Sequence, residues 1–105
     1  MVTRRFYIRD EKKNPVGCVV YTLGDGEVTF GVSCHNPKDK YDKSVMVTVA
    51  QGREQTHPDS IENVNKDERY RKVLRMIRMK IVTDRTYPHR LRNALESWRS
   101  TWDVD

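Results

Sequence analysis

The residues best suited to recognise an anion fall into two groups. The first lies in Cys34 to Arg53, CHNPKDKYDKSVMVTVAQGR. Asn36 carries a carboxamide that both donates and accepts hydrogen bonds, as reading a base or ribose edge requires. Arg53 offers a planar fork that fits a phosphate. Lys38 and Lys43 add positive charge, and Tyr41 adds an aromatic ring for stacking or packing. If these five side chains met in one cleft, an anionic nucleotide would be the natural ligand. Gly52-Arg53 is equally well read as a helix stop followed by an exposed charge. The second group is Arg71, Lys72, Arg75 and Arg78. Its three arginines, at i, i+4 and i+7, align on one helical face, where they can meet nucleic-acid phosphates or an acidic protein surface. The same spacing also describes the solvated face of an ordinary amphipathic helix.

Catalysis has little to work with. The chain holds no GxSxG, P-loop or HExxH motif. His35, His57 and His89 stand alone, and Asp39 and Asp42 alternate with Lys38, Lys40 and Lys43 as in a solvated loop. Cys18 and Cys34 belong to no CxxC, and Cys34-His35 lacks a second ligand pair, so no metal and no cofactor is expected. Two reduced thiols in a cytoplasm are the plain reading, with a disulfide between neighbouring strands as the alternative. A non-enzymatic protein is expected.

The elements that must position these residues follow from patterning. Arg4 to Asp10 (RRFYIRD), Val16 to Leu23 (VGCVVYTL) and Glu27 to Cys34 (EVTFGVSC) read as three strands of an antiparallel meander, separated by polar turns and Gly24-Asp25-Gly26. Val28, Phe30 and Val32 share one face, and Gly17 and Gly31 mark a bulge or a close backbone approach. Residues 35–42 form a loop. Residues 43–51 are ambiguous: Val45, Val47 and Val49 alternate as in a strand, whereas Val45 with Val49, and Met46 with Ala50, are spaced as on a helix. Propensity favours strand. Residues 53–64 read as a surface loop. Asn65 with Glu68 caps a helix over 66–82, whose apolar stripe is Tyr70, Val73, Leu74, Ile77 and Ile81. Pro88 opens a last helix in which Leu91, Ala94, Leu95, Trp98 and Trp102 recur at helical spacing. Trp98 is expected in the core; an exposed Trp102 would mark a homo-oligomer contact.

The chain of 105 residues fits a single α+β domain, with a small antiparallel N-terminal sheet and two C-terminal amphipathic helices. No apolar run approaches the length of a membrane span, and no signal-peptide core follows Met1, so no membrane association and a cytoplasmic location are expected. The net charge is +5, and its distribution is uneven. Lys66 to Val82 holds seven basic and two acidic residues, while the rest of the chain holds 13 of each and is neutral. Long-range attraction for anions is thus directed by one helix.

The segment Asn36-Pro37-Lys38-Asp39-x-Tyr41-x-Lys43-x-Val45-x-x-x-Val49-Ala50-x-Gly52-Arg53 resembles a pattern in small phage-encoded proteins, approximately S/N-P-K-D-x-F-x-K-x-x-G-R-x-I-A-x-G-R after a glycine-rich strand. Thr29 to Cys34 resembles the entering strand. Tyr41 stands where that pattern has Phe, Met46 where it has the first Gly and Val47 where it has the first Arg. The resemblance turns residues 43–51 from strand to a short middle helix. The group is similar to phage Thoeris anti-defence sponges, multimeric proteins that sequester cyclic ADP-ribose-type signals without catalysis through residues including an Asn and an Arg. Asn36 and Arg53 are the matching positions. The resemblance implies a phage counter-defence or host-takeover protein working in the host cytoplasm. Binding an anionic nucleotide signal is the first expectation. A nucleic-acid-binding protein using the basic helix, or an inhibitor docking on an acidic host protein surface, is the alternative.

Overall fold

The computed structural model describes residues 2–65 and 70–97. Strands β1 (Val2–Arg9), β2 (Pro15–Leu23) and β3 (Glu27–Cys34) are followed by helix α1 (Lys43–Thr56), strand β4 (Asp59–Glu62), and helices α2 (Tyr70–Thr83) and α3 (His89–Ser97). The strands form one antiparallel sheet in the order β1-β2-β3-β4. The fold is α+β, with the expected N-terminal meander, a middle helix and two C-terminal helices.

The sheet is covered on both faces. Alternation sends Phe6, Ile8, Val19, Tyr21, Val28, Phe30 and Val32 to one side, where they bury against Val73, Leu74, Ile77 and Ile81 of α2 and Leu91, Ala94 and Leu95 of α3. The opposite parity sends Cys18 and Val20 to the other side, against Met46 and Ala50 of α1. A register shift between Ile8 and Arg9, across from Val16, marks a bulge that puts both Val16 and Gly17 toward α3. Gly31 answers the expectation of a close approach. A Cβ there would collide with Ala50 O and Glu54 N, so α1 lies directly on the glycine backbone.

Two stretches depart from the sequence reading. The middle helix is not short. It runs through Gly52 to Thr56, and the closing backbone bond is His57 N to Arg53 O. Gly52 therefore lies inside the helix, with nothing within 4 Å of where a Cβ would sit. The helical choice for 43–51 is fixed at its start by Asp42, whose carboxylate accepts from Ser44 N at 3.0 Å and Val45 N at 3.3 Å. It is fixed along its length by Ser33, whose buried hydroxyl donates to Met46 O at 2.8 Å. Val45 and Val49 consequently point outward, 53% and 37% exposed.

Residues 53–64 are likewise not a loop. Their first four continue α1, and Asp59–Glu62 forms β4 against β3, with Ile61 opposite Val28 and Ser60 opposite Thr29. This strand is held by distant groups rather than by its own propensity. Lys80 Nζ donates to Ser60 O at 2.6 Å, and the Tyr87 hydroxyl donates to the Asp59 carboxylate.

A smaller difference concerns α2. Tyr70, expected in the apolar stripe, is 38% exposed and lies under Arg4, whose guanidinium carbon is 5.5 Å from the ring centroid. Residues 66–69, including Glu68 of the expected cap and the first turn of the expected helix, lie outside the described residues, as do Trp98 and Trp102. Cys18 and Cys34 are free thiols. Cys18 pairs with Ser33 and Cys34 with Gly17, so the two occupy successive rungs and opposite sheet faces, which rules out the inter-strand disulfide.

Candidate binding surfaces

The loop after β3 positions the first group of anion-seeking residues. Asn36 is exposed, but its Oδ1 accepts from Lys38 N at 3.0 Å and its carbonyl accepts from Asp39 N at 2.9 Å. This is an Asx turn, a local use of the side chain that a polar Asn-Pro loop favours. Tyr41 turns inward onto the cluster of Cys18, Val20, Met46 and Ala50, and meets His35 edge-on with centroids 5.4 Å apart. Burial raises its hydroxyl pKa above the usual value. Lys43 places Nζ 4.6 Å from the centroid of the Tyr7 ring, a cation–π contact. Lys38 is exposed.

Arg53 goes elsewhere. Its Nη1 donates to Val32 O at 2.6 Å. Val32 lies past the Glu27–Phe30 stretch that β4 pairs with, so this carbonyl faces the open side of β3 and the arginine completes the edge. Among the described residues no hydrogen bond joins Asn36 to Arg53. Helix α1 explains why. It runs antiparallel to β3, with Met46 over Ser33 and Glu54 beside Thr29, so the loop lies at one end of the helix and Arg53 near the other.

The second group divides. Arg71, Lys72 and Arg75 are exposed on α2. Arg78 is half-buried, with Nε donating to Leu95 O at 2.6 Å and Nη2 to Glu96 O at 3.2 Å. These carbonyls belong to the last turn of α3, where a helix leaves acceptors unsatisfied and favours a cation. The same use recurs through the molecule. Arg90 donates to His35 O at 2.7 Å, Arg92 to Tyr87 O at 3.2 Å and Arg9 to Lys13 O at 3.1 Å. Much of the positive charge therefore secures carbonyls at strand and helix ends. Spacing in the sequence does not reveal the bonds of Arg78 and Arg90, because their acceptors Leu95 and His35 lie 17 and 55 residues away in the chain.

Two concavities were not anticipated. One, of 780 Å³, lies between the β1–β2 turn and α3, with Asp10, Glu11, Lys12, His89, Arg90 and Asn93 in its wall. Several of its polar groups are already engaged. The Asp10 carboxylate accepts from Asn14 N at 2.8 Å and Lys12 N at 2.9 Å, bonds that hold its pKa below the usual carboxyl value. Asn93 Nδ2 lies 2.9 Å from His89 Nε2. The other, of 390 Å³, is a groove between β4 and α2 floored by Ile61, Met76 and Met79 and flanked by Lys72, Arg75 and Lys80. The sequence carries a signal for it: Met76 and Met79 fall on the face shared by Lys72 and Arg75, at i, i+3, i+4 and i+7.

Among the described residues no group of three or more His, Cys, Asp or Glu side chains gathers to hold a metal. Nor is any described helix long and apolar enough to cross a membrane. A scan against protein-family models found no match to the chain, and searches of curated proteins and of solved structures found none either.

Proposed function

We propose that this is a non-enzymatic binding protein that docks an anionic macromolecule on the outer face of α2. One observation carries the reading. The 14 residues of α2 include Arg71, Lys72, Arg75, Arg78 and Lys80 and no acid, and the first three of these cations stand exposed. Charge concentrated in this way steers an acidic partner toward one face and fixes its orientation. The resemblance of residues 36–53 to small phage-encoded proteins supplies a setting: counter-defence or host takeover in the host cytoplasm, by covering a surface that the host protein needs. A nucleotide held by Asn36, Lys38, Tyr41, Lys43 and Arg53 has less support, since the Asn36 and Arg53 side chains serve the local fold at opposite ends of α1.

Retention on an immobilised polyglutamate matrix at low salt tests the proposal. The unaltered chain is expected to be retained and to elute as salt rises. The triple variant Arg71→Ala, Lys72→Ala, Arg75→Ala is expected to flow through with an unchanged circular dichroism spectrum. Equal retention of both proteins would remove α2 as the docking face.

A further inference from the structure

The geometry points to an acidic, amphipathic segment of a partner protein as the occupant of the groove between β4 and α2. This rests on the docking face proposed above and names what that face takes.

The groove combines two properties that a single class of ligand satisfies. Its floor is apolar: Ile61 and Met76 are half-buried, and the sizeable thioether side chain of Met79 is 55% exposed. Its walls are cationic: Lys72 and Arg75 come from α2, as does Lys80, whose ammonium is oriented by its bond to Ser60 O. Nucleic-acid phosphates would satisfy the walls and leave the methionines uncovered. A neutral apolar peptide would fill the floor and gain nothing from the walls. An acidic segment with leucine or phenylalanine on one face satisfies both. The 390 Å³ of the groove is near the small end of ligand cavities and suits one or two such side chains rather than a cofactor. Methionine suits the task because its flexible, polarizable chain adapts to differently shaped partners.

The mode of docking follows from β4. Its outer edge is where an added strand would pair, but Ser60, opposite Thr29 in the sheet, turns its carbonyl outward and that acceptor is taken by Lys80. Strand addition would have to displace the lysine. A helix laid along the groove, presenting apolar side chains at helical spacing to Met76 and Met79, leaves the bond in place.

The test uses two short fluorescein-labelled peptides of equal charge. One places glutamates and leucines in helical amphipathic order; its twin has every leucine replaced by serine. A labelled random-sequence DNA duplex is the third probe. Fluorescence anisotropy with the full chain is expected to give at least about tenfold tighter binding for the leucine peptide, about 1.4 kcal/mol. Met79→Ser, at an exposed position, is expected to abolish that advantage while leaving the serine twin's affinity unchanged. If the twins bind equally through α2, the inference falls and the docking face stands. If the duplex binds more tightly than the leucine peptide, the occupant is nucleic acid and the inference falls. If no probe binds, both readings fall.

Discussion

Arg78 Nε donates to Leu95 O at 2.6 Å, so an arginine of α2 closes the last turn of α3. The bond separates two roles that one arginine stripe had suggested were the same. Arg71 and Arg75 stand exposed on α2, whereas Arg78 holds the helical pair together. Arg78→Ala is therefore expected to lower stability by about 1.5–3 kcal/mol, the range for a lost hydrogen bond to a charged group. It is expected to leave retention on polyglutamate nearly unchanged. Chemical denaturation and the matrix assay, run on the same variant, check both halves.

Gly31 and Gly52 provide opposite responses to the same substitution. Gly31→Ala drives a methyl group into the backbone of α1 at Ala50 and Glu54, where no flexible side chain can give way. The expected cost is at least about 1–3 kcal/mol, as for an overpacked core. Gly52 sits inside α1 with open space around it, so Gly52→Ala is expected to raise stability by about 0.8–1 kcal/mol, the helix-propensity difference. Paired urea titrations decide; a neutral Gly31→Ala would mean that α1 does not lie on that glycine.

Stability is expected to depend on acid in one direction. The carboxyl groups of Asp10, Asp42 and Asp84 are each held below the ordinary 3.8. Bonds from Asn14 N, from the Ser44 hydroxyl and from the Thr86 hydroxyl respectively are the leading causes. A carboxyl whose folded pKa lies below its unfolded value stabilises fully above the unfolded value and loses that contribution as pH falls through the folded one. The melting temperature, followed downward from neutral pH, is expected to decline below 3.8. Asp42→Asn should flatten part of that decline. A melting temperature that holds constant or rises below 3.8 would contradict the turn and cap assignments.

Burial against α1 pushes the Cys18 thiol up to about 11. A thiolate is the reactive form, so Cys18 is expected to resist a thiol reagent at mildly alkaline pH until the protein unfolds. Cys34, only partly buried, is expected to react first. Mass spectrometry of partially labelled protein reads the order directly.

The meander was legible because Val28, Phe30 and Val32 alternate cleanly and Gly24-Asp25-Gly26 interrupts the pattern at a turn. Residues 43–51 were not legible from propensity, since three alternating valines favour a strand. The Asp42 cap and the seat that Gly31 offers to Ala50 outweigh them. Strand β4 was illegible for a different reason. In Asp59-Ser60-Ile61-Glu62 a single apolar residue gives no alternation, and the strand exists because Lys80 and Tyr87 hold it from other elements. The candidate sites show the same limit. Spacing placed Arg71, Arg75 and Arg78 on one face but could not say that the third reaches α3. Asn36 and Arg53 have the chemistry of ligand-binding residues, and each instead serves an acceptor or donor of the fold itself.

Helix α2, rather than the loop before α1, is expected to meet the partner. A salt series of anisotropy titrations with the leucine–glutamate peptide tests it most directly on two variants, Arg71→Ala with Arg75→Ala, and Lys38→Ala with Lys43→Ala. The α2 variant is expected to lose most of the affinity and much of its salt dependence, and the loop variant to bind as the unaltered chain does. Full binding by the α2 variant together with loss in the loop variant would contradict it and return the site to residues 36–53.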